Sequence, residues 1–431
     1  MKILIAGAGI GGLYAAYLLG KSGHSVIVYE KIENLNSMRY DWHDDINPHD
    51  FAELGLTLPS EHFPKKPWTF VSPNGNTITV EQSDKYLDYS TERRPLNSYL
   101  FGLASQYATI RFGVTVNKVL YENGKICGLA FADGSLEKCD LVIDSCGIDS
   151  PVRKSLPDEC GVEKYINEND IFVVYRAFYN AIPDAEVKYT NKAYMKHLGE
   201  KGISWFIMDN NPNLINVLIG RLGELSKETL ERAKQHLHND NPAFGNELKR
   251  GGIICRIPVR NPLKIFVTNG YAAIGDSACM TIPMIGSGII TSLYAAKFLN
   301  DTLTNNCSTD VNNLWNYQIA VYKKFGAEHY GVNYMKNWLL SQEDYLIDWI
   351  FCSGVLSQKD MQLSTVGKLL KLSFSEIMQK LKKGFPYINR LLAMSNMLSK
   401  CHKLTKIAHN IPQSYDKSQI ENWIKKLNSV K

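Results

Sequence analysis

The 431-residue sequence lacks any Cys-x-x-Cys pair. Its nine cysteines, at 127, 139, 146, 160, 255, 279, 307, 352 and 401, stand singly, with no histidine at metal-ligand spacing. This argues against a disulfide framework and a metal cluster, and reads as the reduced thiols of a cytoplasmic chain. Uncharged apolar runs of membrane-spanning length are missing too: the nearest, residues 338–356, is interrupted by Glu343, Asp344 and Asp348. The apolar opening is cut by glycines and has neither the basic stretch nor the cleavage site of a signal peptide. No internal repeat and no low-complexity linker occur.

Charge is unevenly spread. The net charge is +5, yet residues 364–431 hold thirteen Lys and Arg against three Asp and Glu, about +10, leaving about −5 elsewhere. This tail has no nucleic-acid motif, and nucleic acid is not an expected partner. Its lysine-rich amphipathic segments, IMQKLKKGF and MLSKCHKLTKIAHNI, suit either helices packed on the body with lysines outward or peripheral contact with an anionic bilayer, at the inner face of the membrane.

What is present begins with MKILIAGAGIGGLYAAYLL. Residues 2–6 read as a short buried strand and 13–19 as an apolar helix, with Gly7, Gly9 and Gly12 at the bend. At this spacing the first glycine permits a tight turn, the second lets backbone approach a pyrophosphate, and the third lets helix and strand pack closely. A second strand, 25–29, ends at Glu30, where a carboxylate can accept from an unphosphorylated adenosine ribose.

A second turn of this kind lies near residue 275, in GYAAIGDSACMTIPMIGSGIITSLYAAKFL (270–299). Residues 272–274 read as a buried strand, Gly275 as a close turn, and Asp276 as a carboxylate at the strand's carboxyl end. Pro283, Gly286 and Gly288 precede a helix with open N–H groups. Two such turns some 260 residues apart suggest one long cofactor held by both.

GxGxxG with a terminal Glu and a late GDSA...P..G.G resembles the FAD-dependent hydroxylase superfamily of p-hydroxybenzoate hydroxylase type, with its glutathione-reductase-like fold. The resemblance implies FAD, with Asp276 on its ribityl chain and residues 283–288 facing the flavin pyrimidine. Within that superfamily the chain is most similar to the geranylgeranyl reductases, which saturate polyprenyl double bonds. ERRPLNSYL (92–100) resembles their arginine-led helix start, in which Arg93 approaches the cofactor. YENGKICGLAFADGS (121–135) resembles their hairpin, GISWFIMDNNPNLINVLIG (202–220) their substrate-cavity segment around Trp205, and LSFSEIMQKLKKGFPYINRLL (372–392) their C-terminal helices.

Three departures stand out. Cys146 replaces the aspartate of the superfamily's Ala-Asp-Gly turn, a residue that in relatives helps bind FAD and NAD(P)H. The flavin-facing loop reads RYDWHDDINP (39–48) in place of a Cys-Gly pair, and Ile207 and Met208 replace Phe-Pro after the tryptophan. In that loop His43, with Asp41, Asp44 or Asp45, offers an oriented proton donor, His43 and Asp44 being the candidate catalytic pair. The same residues also fit a polar surface loop capping a helix from Pro48. A catalytic role for Cys146 or Cys279 is not expected.

The expected fold is α/β: a Rossmann FAD-binding domain (residues 1–58, 92–155 and 263–300), an interleaved β-sheet substrate domain (59–91 and 156–262), and a C-terminal helical region (301–431) with its basic tail. The expected activity is reduction of a hydrophobic, prenyl-chain-type lipid by hydride from flavin, with NAD(P)H or a reduced redox protein as donor. The alternatives are an FAD-dependent monooxygenase acting on an apolar or aromatic substrate, and a non-catalytic flavin redox sensor.

Overall fold

The computed structural model describes residues 1–38, 43–81, 88–365, 367–369, 374–385 and 387–430. The first sheet has six strands, in the order Val267–Thr268, Tyr271–Ala273, Leu141–Asp144, Lys2–Ala6, Ser25–Glu30 and Thr109–Phe112. All are parallel except the Val267–Thr268 edge. Leu141–Asp144 is buried throughout, and Lys2–Ala6 at all but its first residue. Near-continuous apolar runs of this kind belong to parallel sheets covered on both faces. The late strand starts one residue before its expected position.

The connecting helices are fitted by glycine. A Cβ on Gly11, in helix Ile10–Lys21, would come within 2.6 Å of Ile274 Cγ2 and 3.3 Å of Ser292 Cβ. This close approach packs the first helix against Ile289–Asn305, and the first and late strands flank Leu141–Asp144 as its two parallel neighbours.

The second sheet has seven strands, in the order Phe244–Pro258, Ile171–Ala181, Leu214–Leu222, Gly202–Met208, Asn191–Met195, Trp68–Val71 and Thr77–Val80. Its last two strands form a hairpin that turns at Asn74-Gly75, where Gly75 has φ +91°. Alternation divides the long strand Ile171–Ala181. Tyr175, Ala177 and Tyr179 pack with Ala233 and Leu237 of helix Lys227–Asp240, while Phe172 and Val174 pack with Leu218 and Val259 on the opposite face. A small third sheet, His43–Ile46, Tyr89–Glu92 and His62–Pro64, stands between these layers.

That small sheet corrects one expectation. Residues 43–46 of the polar stretch are a strand, not a surface loop. The two acids are tolerated there because Asp44 meets Arg93 at 2.6 Å and Asp45 meets Lys65 at 2.6 Å. Asn47 caps the helix Pro48–Glu53, its Oδ1 accepting from His49 N at 2.9 Å. Asp41 lies outside the described residues.

From 311 onward every described secondary-structure element is a helix. A turn of π-helix, Tyr322–Gly326, links Val311–Val321 to Ala327–Ser341. The basic tail is docked on the body. Ile420, Trp423 and Leu427 are buried in the main core, Trp315 Nε1 donates to Pro412 O at 2.8 Å, and Trp423 Nε1 donates to Ile407 O at 2.9 Å. Among the described residues no helix is long and apolar enough to cross a membrane.

Candidate cofactor cradle and proton-holding site

The bend after the first strand divides its three glycines by function. Gly7 has φ +98°, and a Cβ there would lie 2.3 Å from Ser145 O. A Cβ on Gly12 would lie 2.2 Å from Gly7 O. Both are required by the protein's own backbone. At Gly9 the nearest atom to an added Cβ is Ser145 O, 4.0 Å away, so no protein atom requires a glycine there. Gly9 is the N-cap of helix Ile10–Lys21, with no side-chain cap and no acid in the first turn. Free N–H groups and open space at a helix start form an anion cradle.

Glu30 frames this cradle from the adjoining strand end. Its carboxylate accepts from Ala8 N at 2.8 Å and from Ile32 N at 3.2 Å. The loop after Asp144 closes another side. Asp144 accepts from Cys146 N at 3.0 Å and from Ser150 Oγ at 2.6 Å. Burial pushes the Cys146 thiol well above its usual range, and Cys279 is pushed up to about 12 by the same cause. Both are therefore protonated and poor nucleophiles.

The late turn is fastened to the same place. Ser277 Oγ donates to Asp144 O at 2.6 Å, and the fully buried Arg153 donates through Nη1 to Ser277 O at 2.6 Å. Gly275 and Gly286 have φ +71° and +70°. Pro283 sits in the turn closed by Gly286 N donating to Ile282 O at 2.8 Å. Gly288 then caps Ile289–Asn305, again with no capping side chain and no acid in the first turn. Burial pushes Asp276 up to about 6, against the opposing pull of the Arg93 charge. Two uncapped helix starts and a carboxylate thus meet at the carboxyl ends of parallel strands, where ligands of open α/β sheets bind. A cofactor with a pyrophosphate and a polyhydroxyl chain fits these donors and this space.

Above the cradle the small sheet sets a second group of side chains. Strands 43–46 and 89–92 are antiparallel, with His43 opposite Glu92, so these two residues share a face. His43 Nε2 lies 2.8 Å from Asp209 Oδ2 and 3.7 Å from Glu92 Oε1, and Nδ1 is 3.2 Å from Ser90 Oγ. His43 and Asp209 are 7% and 8% exposed. The contact is an ion pair without hydrogen-bond alignment, since neither His43 Nε2 nor Asp209 Oδ2 has a hydrogen-bond partner. Burial alone would push the imidazole down, but the two carboxylates raise it to about 9. Burial would likewise push Glu92 up, but His43 and Arg250 hold it at about 2.

The expected pairing of His43 with Asp44 or Asp45 is therefore replaced. Asp44 is one residue along the strand and faces the other way, where Arg93 donates to it through Nε at 2.6 Å and Nη2 at 3.0 Å. The acids on His43 come instead from Glu92 and from Asp209, which follows strand Gly202–Met208. His43, Glu92 and Asp209 also offer three ligand atoms within 4.8 Å of one another. Arg250, however, takes both oxygens of Glu92 at 2.7 and 2.6 Å, which commits that carboxylate to a guanidinium. The trio suits a held proton better than a cation.

Trp205 is half-buried on the sheet face that carries Phe172 and Val174. The Arg176 guanidinium stacks 4.6 Å from its ring and donates to His43 O at 3.0 Å, and Trp68 meets the ring edge-on at 5.7 Å. Two clefts, of about 690 and 200 Å³, are lined by other residues, not by Trp205. Glu92, Asp209, Arg176 and Arg250 were not singled out in the sequence. Glu92 adjoins Arg93 and so had a local signal, whereas the others depend on pairing across the sheet.

A family profile for an NAD(P)-binding Rossmann-like domain matches residues 5–58. The chain is 21% identical to a digeranylgeranylglycerophospholipid reductase of Sulfolobus acidocaldarius, over 99% of this chain and 96% of that protein. The fold matches that of a geranylgeranyl bacteriochlorophyll reductase-like protein of Thermoplasma acidophilum, with TM-score 0.73, 17% identity and coverage of 92% and 98% of the two chains. It also matches CtdE, solved in complex with FAD, at TM-score 0.55 and 17% identity, over 81% of this chain and 98% of that one. Along nearly its whole length, then, the chain is similar to the geranylgeranyl reductases of the FAD-dependent hydroxylase superfamily, and it has their fold.

Proposed function

We propose that the chain is an FAD-dependent oxidoreductase that reduces a carbon–carbon double bond in a hydrophobic, prenyl-chain lipid. The observation that carries this reading is the end-to-end match to a lipid-chain reductase, covering 99% of this chain and 96% of its relative, joined to a cradle whose Gly9 leaves open space. When bound, FAD supplies the hydride that alkene reduction needs.

The chain's own residues supply position, dryness and a proton. Gly9 and the start of helix Ile10–Lys21 would hold the pyrophosphate, Glu30 the adenosine ribose, and Asp276 the ribityl hydroxyls. Residues 283–288 would lie along the flavin ring, with Arg93 nearby. Trp205, half-buried beside Trp68 on the sheet face backed by Phe172, Val174 and Leu218, would border the hydrocarbon chain. His43, kept protonated at neutral pH by Asp209 and Glu92, holds at Nε2 the proton that completes the reduction. The reductant is NAD(P)H or a reduced redox protein.

The test is anaerobic. The FAD-loaded protein, reduced chemically, is mixed with a geranylgeranyl glycerolipid, and flavin absorbance and lipid mass are followed. Flavin reoxidation with a gain of two hydrogens supports the reading. An oxygen-dependent gain of one oxygen atom would assign a monooxygenase instead.

A further inference from the structure

Seventeen large hydrophobic side chains are exposed among the described residues, and seven of them fall between positions 377 and 392. They are Ile377, Met378, Leu381, Phe385, Tyr387, Ile388 and Leu392, with Phe385 74% exposed and Leu392 61% exposed. A scatter of single exposed apolar residues is ordinary, but a concentration like this marks a contact surface. Ile377, Met378 and Leu381 lie on helix Phe374–Gly384, Ile388 and Leu392 on the first turns of Ile388–His409, and Phe385 and Tyr387 between the two, several of them at intervals of three or four.

The inner side of this helical hairpin is fixed to the body. Leu391 and Met394 pack against the cluster of Leu346, Trp349, Ile350 and Val355. Arg390 stacks on Tyr345, Trp349 and Tyr387 at 5.2, 5.3 and 4.5 Å. Lys380 pairs with Asp360. A Cβ on Gly384 would lie 2.6 Å from Leu391 Cδ1, so the hairpin closes tightly. Its outer side is therefore presented by a held element.

Charge identifies what the outer side meets. Between 374 and 409 the sequence has Lys380, Lys382, Lys383, Arg390, Lys400, Lys403 and Lys406, with Glu376 as the single acid. Lys382 and Lys383 are exposed beside the apolar residues. Apolar side chains flanked by exposed Lys382 and Lys383, on a segment with one acid, match the boundary between acyl chains and anionic headgroups. The terminal helix, by contrast, turns Ile420, Trp423 and Leu427 into the core and has no apolar face left for lipid.

We infer that the hairpin around Phe385, Ile388 and Leu392 docks the protein on an anionic lipid bilayer. This proposal does not depend on the proposed reductase activity. It is tested by flotation of the full chain with vesicles of phosphatidylcholine, alone or with phosphatidylglycerol. The wild type is expected to float with the anionic vesicles and to be released by salt. A Phe385→Ser/Ile388→Ser/Leu392→Ser variant is expected to lose the bound fraction about tenfold, and Lys382→Glu/Lys383→Glu to lose it at low salt. Lys425→Glu/Lys426→Glu, in the terminal helix, is expected to float as the wild type does. Equal circular dichroism and FAD content keep the comparison free of misfolding. Failure of the wild type to float, or flotation unchanged in the triple variant, overturns the proposal. So does sedimentation showing that the triple substitution only splits a dimer, which would make the patch a contact between copies.

Discussion

His43 Nε2 lies 2.8 Å from Asp209 Oδ2, tying the small sheet beside the cradle to the end of a strand in the seven-stranded sheet. Burial by itself favours a neutral imidazole, so its raised pKa of about 9 depends on carboxylates from two separate elements. Asp209→Asn is expected to move the alkaline limb of the pH–rate profile down by roughly one unit or more. Rates at pH 8 then fall more than rates at pH 6. Parallel profiles for variant and wild type would separate His43 from proton transfer.

The same pair makes stability depend on pH. The imidazole's folded pKa lies above its ordinary 6.5, so its contribution is fully present below about pH 6.5 and is lost as pH rises through about 9. The shift corresponds to something on the order of 3 kcal/mol. Denaturant melts of the wild type at pH 6 and pH 9.5 should show this loss, and His43→Gln should show much less of it.

Gly7 and Gly9 are expected to behave differently although they are neighbours in one motif. Gly7→Ala places Cβ 2.3 Å from Ser145 O in a left-handed conformation and should lower Tm markedly. Gly9→Ala meets no protein atom closer than 4.0 Å, so Tm without cofactor should stay within a few degrees while FAD affinity falls. Thermal melts and flavin titrations of both variants check this.

Asp276 has the same pH sign as His43, in a lower window and from burial instead of a partner charge. Its carboxyl is pushed up to about 6 by burial, so as pH rises from the ordinary carboxylate range through 6 the folded apo-protein loses stability. Asp276→Asn should therefore stabilise the apo-protein at pH 7, by on the order of 2–3 kcal/mol, while weakening FAD binding. Loss of stability in that variant would show that the carboxylate serves the fold.

The cradle was largely legible in the sequence because its signals are local. Gly7, Gly9, Gly12 and Glu30 sit in one contiguous strand–turn–helix–strand, and the 275–288 turn repeats the pattern. The partners of His43 were not legible, because which acid meets it depends on pairing. Glu92 is opposite His43 only once strands 43–46 and 89–92 form, and Asp209 arrives from a different sheet. A strand reading His-Asp-Asp-Ile has no apolar alternation to announce it. The tail was ambiguous for another reason: a basic amphipathic helix has the same period whether its apolar side meets protein or lipid. Trp423 in the core settles that for the terminal helix.

The central claim is that two glycine turns, around Gly9 and around Asp276, hold one FAD. Its most direct test is titration of the purified, folded apo-protein with FAD, read by quenching of flavin fluorescence, for the wild type, Gly9→Ala and Asp276→Leu. The account predicts one FAD per chain and weaker binding in both variants, with folding retained. A folded wild type that binds no FAD, or FAD affinity unchanged by either substitution, would contradict it.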